Sequence, residues 1–165
     1  GLRGGNTGWG HSINQIVDTD SVHQRLANGE NSIGKARVSR GGKDVTIVTW
    51  GAMVHVALEA AEAAGKRGIE AEIIDLRTIL PFDAQTCIES VRRTGRLIVL
   101  QEAQYTGGFG HTVSSRILEE AFWNLENAPV VIGALDTPVP FSPPLEDHTI
   151  PTSELVVRHI RRMCE

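Results

Sequence analysis

Asp44-Val45-Thr46-Ile47-Val48-Thr49-Trp50-Gly51 is the stretch on which the reading of the fold turns. It is rich in β-branched residues and nearly continuously apolar, the mark of a strand buried on both faces of a parallel sheet. Gly51 breaks it, and Ala52 to Ala64 then places Met53, Val56, Ala57, Ala60 and Ala64 on one helical stripe. Gly65 and Gly68 bracket the helix stop. The cycle repeats downstream. Ala71 to Leu76 reads as a strand, Pro81-Phe82-Asp83 opens a helix through Arg93, and Gly95 closes it. Arg96 to Gln101 is a third buried strand, followed by Gly107-Gly108-Phe109-Gly110 and a helix from about Thr112 to Leu125. Val130-Val131-Ile132 is a short strand, and a proline-rich bend from Thr137 to Pro144 leads to a last helix, Thr152 to about Met163. Upstream, Ala36 to Ser39 suits an edge strand ended by the turn Gly41-Gly42.

Strands alternating with helices over short connections predict an α/β domain, a three-layer α/β/α arrangement on a mainly parallel sheet of about five strands. Residues 32–165 make up this domain; the glycine-rich and polar stretch 1–31 reads as a linker or N-terminal arm. A start on Gly1 suggests a processed chain or a fragment.

The 165 residues are 41% apolar and 22% charged, as in soluble globular proteins. A net charge of −4 argues against a nucleic-acid-binding face. Cys87 and Cys164 have no metal-ligand spacing, and no apolar run approaches the ~20 residues of a membrane span. These features suit a cytoplasmic protein or one of an organelle matrix.

In open parallel sheets function gathers beyond the carboxyl ends of the strands. Thr49-Trp50-Gly51-Ala52 lacks nucleotide-binding spacing and reads as a tight turn. Asp75 and Arg77 lie on the same side of the pleat and suit a structural ion pair fixing a strand-end loop at a subunit interface. Glu102 and His111, around Gly107, Gly108 and Gly110, allow an acid–base pair at a helix N-terminus, but equally a close backbone approach to another chain. Pro138 and Pro140 stiffen an excursion that lays Phe141 against an apolar surface. Glu146-Asp147 with His148 reads as a solvated acidic loop. No residue is assigned as catalytic, cofactor-binding or metal-ligating.

Together these segments resemble the C-terminal domain of the transketolase type, and more narrowly the β subunit of the thiamine-diphosphate-dependent 2-oxo acid dehydrogenases. The resemblance is carried by Ile33-Gly34-Lys35-Ala36, Asp44 to Val54, Ile74 to Asp83, Arg93 to Leu97, Gln101-Glu102-Ala103 with Thr106 to Gly110, and Ala128-Pro129 with Asp136 to Pro140. It implies a part in oxidative decarboxylation of a 2-oxo acid. Thiamine diphosphate and Mg2+ would then be bound mainly by domains absent from this chain, which would be inactive alone. The implied partners are an α subunit and a second β subunit of a heterotetramer, plus the subunit-binding domain of an acyltransferase core. Nucleic acid and membrane are not among them. A mitochondrial matrix location is implied for a eukaryotic member and a cytoplasmic one otherwise.

By the same resemblance, an acidic residue before Ala128-Pro129 and the chain terminus bind the acyltransferase core, which selects Glu126 and Glu165. Asn127 puts Glu126 one residue farther from that pair than in the usual pattern. Thr106 to Phe109 and Asn124-Leu125-Glu126 lean toward the branched-chain type. The alternatives are the C-terminal domain of transketolase or deoxyxylulose-phosphate synthase, or a stand-alone anion-binding module. On the interface reading, a bulky residue at Gly108 weakens assembly more than folding.

Overall fold

The structure, a computed structural model, describes residues 33–165. The linker or arm expected at 1–31 lies outside the described residues. Five strands form one sheet in the order β1-β3-β2-β4-β5. They are β1 (Arg37–Arg40), β2 (Val45–Thr49), β3 (Ala71–Asp75), β4 (Leu97–Gln104) and β5 (Val130–Ala134). All pairings are parallel except the antiparallel edge, β1 on β3. The helices are α1 (Met53–Gly65), α2 (Ala84–Thr94), α3 (Phe109–Ala121), α4 (Pro143–Thr149) and α5 (Ser153–Cys164). The mainly parallel α/β sheet expected from the alternation is the fold observed.

Every residue of β2 is buried, which is why its sequence shows no polar alternation. On one face Val45, Ile47, Ile73 and Ile98 pack under α1 and α5. On the other, Val48, Ile74, Val99 and Leu97 pack under α2 and α3. Each such aliphatic side chain contributes about 2 kcal/mol of transfer free energy. The alanines Ala57, Ala60, Ala61 and Ala64 are all fully buried and let α1 lie close to the sheet. Cys87 is sealed in this interior, and burial pushes its thiol up to about 12, so it acts as a small apolar residue. Of the two threonines in β2, Thr46 is satisfied by the hydroxyls of Ser90 at 2.6 Å and Thr94 at 2.7 Å.

Three boundaries differ from expectation. β4 runs on to Gln104, because its last residues still pair with β5. α3 starts at Phe109, three residues early, on the extended residue Gly108, and passes into a 3-10 turn at Phe122–Asn124. The proline-rich bend contains α4, since Pro143 at the first helical position carries the φ a helix needs. Glu146 and Asp147 therefore sit on a helix instead of a loop.

Asp83 caps α2 and also holds the incoming chain. Its carboxylate accepts from Thr86 N–H at 3.3 Å, Thr86 Oγ1–H at 2.9 Å and Ala36 N–H at 3.2 Å. Burial alone pushes this carboxyl up, but the bonds from Ala36 and Thr86, with Lys35 nearby, outweigh it and leave the carboxyl below its ordinary value. A depressed folded value means the stabilisation is present above the unfolded carboxylate range and fades as pH falls through the folded one. Urea unfolding between pH 6 and pH 3 is expected to show Asp83→Asn less stable at pH 6, by about 1 kcal/mol, with the gap closing toward pH 3. A constant gap across that range would refute the assignment.

Candidate functional site at the carboxyl ends of the strands

Gln101 is the residue around which the β4 end is built. It is fully buried although polar. Its Oε1 accepts the N–H of Gly110, and its Nε2 donates to the Gln104 carbonyl at 2.8 Å. Three glycines make room for that amide. A Cβ at Gly108 would lie 1.8 Å from Gln101 Nε2, one at Gly110 2.8 Å from its Oε1, and one at Gly133 3.0 Å from Nε2. The first two separations are closer than non-bonded atoms pack, and the third lies at the tight edge of contact. The glycine loop thus makes a close approach to this chain's own interior at Gln101. Gly108 is closely packed inside the domain, so a bulky residue there is expected to cost folding directly as well as assembly. Its spacing gave no sign of this, because Gln101 reads locally as an ordinary strand end.

Beyond Gln101 the loops after β4 and β5 are tied together. Asp136 accepts from Thr106 N–H at 2.8 Å and Thr106 Oγ1–H at 2.7 Å, and these bonds hold its carboxyl below the ordinary value. Gln104 Nε2 donates to the Thr137 carbonyl at 2.8 Å, and Tyr105 N–H to the Ala134 carbonyl at 3.0 Å. His111 does not meet Glu102. Its Nε2 lies 3.0 Å from the Tyr105 carbonyl and its ring stands edge-on to Tyr105 at 4.7 Å. Glu102 is exposed and in no salt bridge with a described Lys or Arg. The acid–base pair weighed for these two residues therefore has no geometric basis. Pro138 is exposed and Pro140 half-buried, yet Phe141 is 104% exposed, so no described side chain covers it. Among the described residues no apolar seat for Phe141 is formed, which leaves the interface reading of that excursion.

Asp75 and Arg77 are joined through the main chain: Asp75 Oδ1 accepts the Arg77 N–H at 3.0 Å. That bond supports Arg77 at φ 57, a left-handed conformation that costs an L-residue of order 1 kcal/mol. The same loop seats the incoming chain, since Thr78 Oγ1 accepts the Gly34 N–H at 2.9 Å.

Glu126 and Glu165 lie at the opposite, amino end. Glu126 pairs with Arg96, which also donates from Nε to the Met163 carbonyl at 2.7 Å and from Nη1 to the Asp44 carbonyl at 3.0 Å. Arg96 thus stitches together β2, β4, α5 and the residues before β5, a role its position as an opening strand residue concealed. Glu165 takes both Nε and Nη2 of Arg161, at 2.9 and 3.0 Å. Cys164 lies within electrostatic reach of both carboxylates; its thiol is raised chiefly by burial, opposed by Arg96. A depression of about 240 Å³, lined by Asn127, Ala128, Pro129, Val130, His159, Arg162 and Met163, lies at this end. No described helix is long and apolar enough to cross a membrane.

A mainly parallel sheet with one antiparallel edge strand and short strand-end loops is the architecture of a transketolase-type carboxyl-terminal domain. The chain belongs to the family described as Transketolase, C-terminal domain, which matches residues 34–156. It is 46% identical over 163 residues to the acetoin:2,6-dichlorophenolindophenol oxidoreductase subunit beta of Cupriavidus necator, covering 91% of this chain and 48% of the relative. Against the pyruvate dehydrogenase E1 component subunit beta of Bacillus subtilis it is 44% identical over 147 residues, covering 88% and 45%. The 2-oxoisovalerate dehydrogenase subunit beta of Dictyostelium discoideum is 45% identical over 116 residues, covering 70% and 31%. Among solved structures, a split gene transketolase described as an inactive beta4 tetramer superposes with TM-score 0.67 at 30% identity, over 81% of this chain and 43% of the other. The chain spans about half the length of the Cupriavidus necator and Bacillus subtilis relatives, 48% and 45%.

Thiamine diphosphate and its Mg2+ do not fit the described residues. The glycine-rich start of α3 spends its Gly110 N–H on Gln101. Among the described residues no group of three or more His, Cys, Asp or Glu is placed to hold a metal. No step of cofactor chemistry is therefore assigned to these side chains.

Proposed function

We propose that this chain is the carboxyl-terminal part of a β subunit of a thiamine-diphosphate-dependent 2-oxo acid dehydrogenase, an oxidoreductase. Its role is to hold the assembly together while the chemistry runs on other domains. The observation that carries this is the 44–46% identity to β subunits that act in acetoin, pyruvate and 2-oxoisovalerate oxidation. The cofactor and Mg2+ belong to the α subunit and to the amino-terminal part of β. The strand-end loops bearing Asp75, Arg77, Glu102, Gly107, Gly108, Gly110, Pro138 and Pro140 face the α subunit and a second β subunit. Glu126 and Glu165, at the amino end, receive cationic side chains of an acyltransferase subunit-binding domain in exchange for Arg96 and Arg161. The site of action is the cytoplasm, or the mitochondrial matrix in a eukaryote.

Co-expression of the full chain with an α subunit and the amino-terminal half of β from an acetoin-type relative tests this. A stable complex and thiamine-dependent reduction of dichlorophenolindophenol are expected with a 2-oxo acid or acetoin. Absence of both association and activity overturns the reading, and activity on ketose phosphates instead would move the chain to the transketolase branch.

A further inference from the structure

Between residues 97 and 157 the sequence carries eight carboxylates and a single Lys or Arg, Arg116. Toward the amino end these charges are neutralised: Glu119 by Arg116, Glu120 by Arg92 and Glu126 by Arg96. Toward the carboxyl end they are not. Glu102, Asp136, Glu146 and Asp147 form no salt bridge with a described Lys or Arg. In the same stretch as Asp136, Glu146 and Asp147 lie bare apolar side chains, with Phe141 104% exposed, Val139 69% and Leu145 58%. These groups share one hydrogen-bonded frame. Asp136 is clipped to Thr106, and α4 returns so that Leu135 N–H donates to the Thr149 carbonyl at 3.0 Å. A shallow groove of about 460 Å³, lined by Gln104, Thr106, Asp136, Thr137 and Pro138, runs through the frame.

We infer that this frame is a docking surface for a cationic, apolar-anchored segment of a partner polypeptide. An aromatic or aliphatic anchor covers Val139 and Phe141, and Lys or Arg side chains flank it beside Asp136, Glu146 and Asp147. Apolar groups rimmed by charge of one sign mark an interaction site, and that sign selects the partner. The clip to Thr106 keeps Asp136 ionised, because its hydrogen bonds favour the charged form. A second copy is a poor occupant, since docking this face on itself opposes carboxylate to carboxylate. The inference deepens the assembly role proposed above and rests on it only in taking the strand-end loops as contact surfaces.

Fluorescence anisotropy of the full chain with a short labelled peptide alternating Lys and Phe tests it, with Glu/Phe and Lys/Ser peptides as controls. Saturable binding of the Lys/Phe peptide alone is expected, lost at high salt. Phe141→Ser and the double variant Glu146→Gln/Asp147→Asn should each weaken it about tenfold, as removal of an anchor or of its flanking charge does. All three side chains are exposed or half-buried and outside the core, so melting temperatures should not move. The inference is overturned by no binding, by equal binding of either control peptide, or by indifference to both variants. Self-association abolished by Phe141→Ser, without peptide binding, would overturn it in favour of a second copy. Peptide binding without co-assembly removes only the subunit reading; co-assembly without peptide binding removes only this one.

Discussion

Replacing Gly108 by valine is expected to lower the melting temperature of the chain by about 10–20 °C. The Cβ alone would sit 1.8 Å from Gln101 Nε2 and 2.5 Å from the Gln104 carbonyl oxygen. Gln101 is fully buried, and the Gln104 carbonyl is backbone that cannot turn aside. If the loop lifts instead, Gly110 N–H and the Gln104 carbonyl lose their partners. Overpacking costs about 1–3 kcal/mol, and unsatisfied buried polar groups add about 1–3 kcal/mol. Thermal unfolding followed by circular dichroism measures the sum. A double variant that also carries Gln101→Ala should recover part of the loss, because the clashing amide is gone. A Gly108→Val chain that melts with the wild type would refute this packing argument.

Gly42→Ala is expected to be similarly damaging, by about 3 kcal/mol or more. A methyl there would meet the Ala71 carbonyl carbon at 2.3 Å, Glu72 N at 2.4 Å and Glu70 O at 2.5 Å, all of them backbone. Backbone cannot rotate aside as a flexible side chain can. Lys43 N–H and Asp44 N–H both donate to that same Glu70 oxygen at 3.0 Å, and the β2–β3 register begins one residue later with Val45 opposite Ala71. The methyl therefore pries apart the first rungs of the central pairing. Gly41→Ala is the control, since nothing lies within 4 Å of a Cβ there; its effect should stay within about 0.5 kcal/mol. Urea titrations of the two variants should separate cleanly, and equal midpoints would refute the argument.

These two glycine-bearing loops also show how far the sequence could be read. Gly41-Gly42 was legible as a turn, but not that one glycine is idle and its neighbour is pressed against β3. Gly107 to Gly110 was legible as a loop between a strand and a helix, but not that Gln101 fills it. The helix at Pro143–Thr149 was missed because prolines at its start resemble a bend, and a single short turn has too few residues to show a period. The proline excursion reads as laying Phe141 against an apolar surface; that no described side chain of this chain supplies the surface is visible only in three dimensions.

What the sequence determined by itself was the parallel α/β architecture and its family. A strand buried on both faces must be continuously apolar, and a helix on the sheet must repeat its apolar residues with helical period, so each element announces itself within a few residues. The tertiary structure alone decided which polar side chains close the domain. Gln101 against Gly133, Arg96 against Met163, Thr78 against Gly34 and Thr106 against Asp136 join residues far apart in the chain. No local periodicity encodes such pairs, because a hydrogen bond depends on where two strand ends arrive in space, within a few tenths of an ångström.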